Sequence, residues 1–89
     1  MAKYRPISAE VAAPTTSGAA ITVSDANVVR AVNTAASTPY VLTLLDNNDV
    51  VVGSMTLVGA EVVLVDKPKS WKLYAANAAV RLSSVSYPG

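Results

Sequence analysis

Residues 44–76 read LLDNNDVVVGSMTLVGAEVVLVDKPKSWKLYAA. Valine, leucine and threonine fill short runs, and Asp46–Asp49, Gly59 and Pro68 interrupt them. Branched side chains sit well on a pleated surface and poorly in a helix, whereas Asn, Asp, Gly and Pro accept the backbone of tight turns. The stretch therefore predicts three strands, Val50–Val58, Glu61–Asp66 and Trp71–Ala76, separated by the turns DNND, VGA and KPKS.

The same grammar extends in both directions. Tyr40, Leu42 and Leu44 alternate with Val41, Thr43 and Leu45, so Tyr40–Leu45 is a strand. Val28–Asn33 sets Val28 and Arg30 against Val29 and reads as another. Ile7–Val11, with Ile7, Ala9 and Val11 on one face, and the short Ala20–Val23 precede it; Val80–Tyr87 closes the series. A helix over residues 24–36, capped by Ser24 or Asp25, competes with the third strand, but Val28, Val29 and Val32 favour the sheet. Eight strands recur at about ten-residue spacing, as in sandwiches and barrels. Connections of three to seven residues are too short for parallel crossovers. The expectation is an all-β, small antiparallel β-sandwich or jelly-roll-like domain over residues 7–89, preceded by an N-terminal arm at residues 1–6.

Eighty-nine residues make one core. Of these, 52% are hydrophobic and only 15% charged, against about 25% charged in an ordinary soluble domain. So few charges leave apolar surface outside, which points to a partner, copies of the chain included. A net charge of +1 argues against a dedicated nucleic-acid binder. The chain has no cysteine for disulfide or thiolate chemistry. Glu10 and two prolines interrupt the opening residues, which therefore do not read as a signal peptide. No apolar run reaches the roughly eighteen residues of a membrane helix, so no membrane association is expected.

Candidate sites are few. Asp46, Asn47, Asn48 and Asp49 gather oxygen ligands suited to a hard cation, yet the run lacks the mid-loop glycine and distant glutamate of an EF-hand. The same residues suit a hairpin, which is the simpler reading. Lys67, Lys69 and Lys72 cluster beside Trp71. They read either as a solvated turn with Trp71 packing inward beside Leu73 and Ala75, or as a docking point for an acidic protein surface. Single-stranded nucleic acid, stacked on the tryptophan, is a weaker alternative. Lys3, Tyr4 and Arg5 place one aromatic between two cations in the N-terminal arm, a composition favoured at interfaces. Histidine, the usual acid–base group near neutral pH, is absent, and no enzyme and no cofactor are expected.

Three stretches carry a resemblance. KYRPISAEV, VVRAVNTA and VGSMTLVGAEVVLVDKPKSWKLYAANAAVRLSSVSY resemble small virion proteins of tailed bacteriophages, above all those of marine cyanobacterial phages. The shared positions are Tyr4, Pro6, Ile7 and Ser8 at the start, Val28–Arg30 with Val32, Asn33 and Thr34, and Gly59, Glu61, Val62, Val63, Val65 and Lys67. Where the family pattern has a small acidic opening to its penultimate segment, this chain has Ser70, Trp71 and Lys72. The resemblance implies a structural role in the particle, assembled in the host cytoplasm: a capsid decoration (cement) protein, or a tail or neck accessory component. Its partners would be the major capsid protein or other virion subunits, and copies of itself as a homo-oligomer. A reading from another class is a small glycan- or nucleic-acid-binding β-module using Trp71, Tyr74 and the lysines.

Gly53 interrupts the valine run and marks either a β-bulge or a close approach of another backbone. On the second reading, Gly53→Val should destabilise the fold or the assembly.

Overall fold

The strict alternation of Val28–Asn33 becomes the middle of a sheet. The computed structural model describes residues 5–86. Within them the strands are β1 Arg5–Pro6, β2 Val11–Ala12, β3 Val28–Asn33, β4 Tyr40–Leu45, β5 Val51–Leu57, β6 Val62–Asp66, β7 Lys72–Ala75 and β8 Val80–Ser86. They form two antiparallel sheets, so the fold is an all-β sandwich. One sheet runs β1-β8-β3-β6, with β2 also on β8; the other runs β5-β4-β7. No α-helix forms over residues 24–36, because β3 pairs with β6 and β8 along its whole length.

Alternation places the core. Val29, Ala31 and Asn33 of β3 turn inward between Val28, Arg30 and Val32. They meet Leu42 of β4, Leu57 of β5, Leu73 and Ala75 of β7, and Val80 and Leu82 of β8. A fully buried Leu or Val contributes about 1.5–3 kcal/mol relative to an exposed one, so this small set supplies the main driving force.

One polar side chain joins the two layers. Asn33 is fully buried, yet every polar atom of its amide is engaged. Its Nδ2 donates to the carbonyls of Leu57, at 2.9 Å, and Thr38, at 2.8 Å. Its Oδ1 accepts from the Ala35 amide at 3.0 Å. The Asn33 backbone meanwhile donates to Glu61 and accepts from Ala60, each at 3.0 Å. The end of β3 is thus tied to the end of β5 and to both neighbouring turns. Next to it, a Cβ on Gly59 would lie 2.5 Å from the Ala36 carbonyl oxygen, so only glycine lets the two turns approach.

The DNND turn is a hairpin. The Asp46 carboxylate accepts from the amides of Asn48, at 2.8 Å, and Val50, at 3.0 Å, while Asp49 takes φ 63. The β4–β5 register then shifts: Leu44 faces Gly53, but Leu45 faces Val51. Val52 is the extra residue, and Gly53 adjoins the bulge. The close-approach reading of Gly53 is corrected, because a Cβ there would meet nothing within 4 Å.

Two other expectations change. Ile7–Val11 is not one strand. The amides of Ile7 and Ser8 both reach the Ser84 carbonyl, and the Ser8 hydroxyl accepts from the Ser84 amide at 3.1 Å. This pinch against β8 splits the segment into β1 and β2 and leaves Ile7 exposed. Among the described residues, pairing therefore begins at Arg5, inside the expected arm. Ala20–Val23 contributes only an isolated bridge between Ile21 and Leu73. Val23, Ser24 and Asp25 take φ 57, 59 and 55, a left-handed turn closed by the Ala26 amide on the Thr22 carbonyl.

Two substitutions test this account. Asn33→Ala should cost about 3 kcal/mol or more, because it orphans buried carbonyls as well as removing their donor; urea unfolding measures it. Gly53→Ala should instead leave stability unchanged or raise it by about 0.5–1 kcal/mol, since the added methyl has room and the unfolded chain loses freedom.

Candidate functional site

The turn after β6 bends around its own lysine. Lys67 retains only 3% exposure, and its Nζ donates to the Ala26 carbonyl at 2.8 Å and to the Pro68 and Lys69 carbonyls at 3.4 Å. Desolvation lowers its pKa from the ordinary 10.5, and the nearby charge of Asp25 opposes that shift in part. Lys72, on β7, lies 2.9 Å from Asp49 of the DNND hairpin and is engaged there. Trp71 is half-buried, and its amide closes the turn on the Pro68 carbonyl at 3.1 Å. Leu73 and Ala75 reach the core and Trp71 does not. Lys69 is exposed. The sequence cluster is thereby dispersed: one ammonium is internal, one is paired to the β4–β5 hairpin of its own sheet, and one faces solvent. Arg5 is exposed on β1; Lys3 and Tyr4 lie outside the described residues. In the DNND loop, the Asp46 carboxylate is occupied by backbone amides and Asp49 by Lys72.

A different surface stands out. β5 and β6 are the outer strands of the two sheets on one flank, because only residues 58–61 join them. On and beside β5, Val50, Val51 and Val58 are 57–58% exposed, and Val52 and Met55 are 47–49% exposed. Val62 and Leu64, the outward pair of β6, are 43% and 40% exposed. No charged residue occurs between Asp49 and Glu61. Between the two edges the sandwich opens into a mainly apolar cleft of about 210 Å³, lined by Leu42, Leu44, Val65 and Leu73 and by residues 53–55 of β5, Ser54 among them. Gly53 keeps this cleft open simply by having no side chain.

The chemistry of the flank is burial. Covering apolar surface is worth about 25 cal/mol per Å², and a thioether such as Met55 adapts to irregular partners. Sequence reasoning registered an apolar surplus without locating it. The signal was available: Val50–Val58 carries no charge on either face, whereas a strand with one solvated face alternates with polar residues. No protein-family model matches the chain, and no curated protein or solved structure is similar to it.

The buried lysine gives a pH signature. A lowered folded-state pKa means that the unfolded chain holds the proton more tightly, so stability rises with pH between the lowered value and 10.5. Below that window the cost of burying the charge is present in full. Unfolding of the native chain, compared with Lys67→Met, should show the native chain gaining relative stability as pH climbs through this window. A parallel pH response in the two proteins would mean that the ammonium is solvated.

Proposed function

We propose that this chain is a virion structural protein, a capsid decoration (cement) subunit that binds the coat lattice and copies of itself. The observation that carries the reading is the apolar flank formed by the uncharged β5 and by Val62 and Leu64 of β6, with its exposed valines, Met55 and open cleft. A free monomer gains nothing from such a flank, whereas a subunit held in a lattice covers it. The resemblance of Tyr4–Ser8, Val28–Thr34 and Gly59–Lys67 to small tailed-phage virion proteins adds the setting. In this reading the chain performs no catalysis and needs no cofactor. It works through shape and apolar contact, and modest single contacts become strong when many copies engage together.

The charged positions then act at the rim. Lys69, in the turn after β6, remains free to meet carboxylates of a coat subunit, whereas Arg5 lies on β1 at the opposite edge of the larger sheet; exposed charges affect the rate and register of docking more than its strength. The lattice contact itself falls to the apolar residues. A tail or neck location would use the same flank.

Mixing the purified protein with undecorated heads, and separately with tails, before sedimentation tests the proposal. The native chain should pellet with heads and saturate. Val62→Glu should weaken that binding by roughly tenfold or more at unchanged melting temperature, as expected when a buried apolar contact becomes a charge. A chain that stays in the supernatant with both heads and tails overturns the reading.

A further inference from the structure

The outer edge of β5 has defined hydrogen-bonding capacity. On the other side of β4, the Ala76 amide donates to the Val41 carbonyl, so the backbone of Val41 is directed toward β7. Antiparallel pairing alternates, so Leu42 and Leu44 are directed toward β5, where they face Met55 and Gly53. Ser54 and Thr56 therefore turn their own N–H and C=O groups away from β4, toward the open edge. The far edge of the same sheet is managed differently: Leu73 of β7 exchanges both backbone bonds with Ile21, and Ala75 donates to Pro14. Nothing of this kind covers β5 among the described residues.

Monomeric proteins blunt such an edge with lysine, proline or an inward charge. Val50–Val58 has none of these. Its one irregularity, the bulge at Val52, lies at the start of the strand and leaves the rest regular.

We infer that β5 pairs antiparallel with β5 of a second copy about a two-fold axis near Ser54, joining the three-stranded sheets of two chains into one of six strands. The inference deepens the self-association in the proposed function and rests on that reading. Two observations select a second copy. The strip is uncharged, so its complement must be uncharged as well, and the strip itself meets that condition. Symmetry selects the direction: in a closed two-fold dimer the same edge meets itself running antiparallel, with Ser54 opposite Ser54 of the second copy. Area is the second observation. The smallest side of the body, 30 by 20 Å, projects on the order of 600 Å², below the roughly 800 Å² per partner of a standard stable interface but of the same size class. Val62 and Leu64, the outward pair of β6 in the other sheet, stay outside the paired strands and remain exposed for the coat contact.

Sedimentation velocity over a concentration series, with amide hydrogen exchange at the two extremes, tests the pairing. The native chain should shift from monomer to dimer, and the amides of Ser54 and Thr56 should become protected in the dimer. The Met55 amide, directed toward β4, should be protected throughout. Ser54→Pro removes only an outward N–H, and Thr56→Lys places a charge on the edge. Each should raise the dimer dissociation constant by roughly 30-fold or more without changing the circular dichroism spectrum. A native chain that stays monomeric, a dimer indifferent to both variants, or open-ended fibres in place of a closed dimer would each overturn the inference. Because head binding is measured separately, a monomer that still pellets with heads refutes the strand pairing while leaving the decoration role standing.

Discussion

The buried amide of Asn33 sets the geometry that the sandwich depends on. Two sheets that share only apolar contacts can slide, since dispersion and hydration favour many nearly equivalent packings. A carboxamide with no access to water has no such freedom: its donors must find carbonyls at about 2.9 Å, or the arrangement forfeits their desolvation. By engaging Leu57 of one sheet from β3 of the other, Asn33 selects one offset between the layers. Gly59 completes the choice by letting the turn after β5 lie against Ala36. The open cleft beside Gly53 and the unpaired edge of β5 are positioned by that offset.

Much of the fold was legible because alternation is a local property. β3 and β4 begin and end where their apolar periodicity does, and β5, β6, β7 and β8 fall within a residue or so of their sequence bounds. The first third of the chain was less legible. Ile7–Val11 alternates properly, but alternation does not reveal that Ile7 and Ser8 compete for a single carbonyl on a strand some seventy-five residues away. The residues of Ala20–Val23 suit a strand, yet Val23 takes a left-handed backbone that a branched side chain rarely adopts, at a cost of roughly 1–2 kcal/mol. Tertiary packing overrides local preference there.

The candidate site divides along the same line. That the chain carries excess apolar surface followed from composition. Where it lies depends on which strands become edges, and strand order is not a local property. The lysine cluster misleads for a related reason, because adjacency in sequence says nothing of which ammonium a turn will wrap. Asn33, Thr34, Gly59 and Lys67 serve the fold instead. In the folded chain these residues cap carbonyls, latch the sheets or admit a close turn. They build the scaffold, while the apolar flank is a separate feature of the surface.

Strand β8 occupies a telling place in this plan. It follows every other strand along the chain, yet it lies between β3 on one side and both β1 and β2 on the other, with Arg5 opposite Ser86. Its residues Val80, Leu82 and Val85 are buried, so the larger sheet cannot close around its core without them. On a translating ribosome, then, the larger sheet cannot close until residue 86 has cleared the exit tunnel. The valine-rich edge of β5 spends that interval without the complete sandwich that orients it.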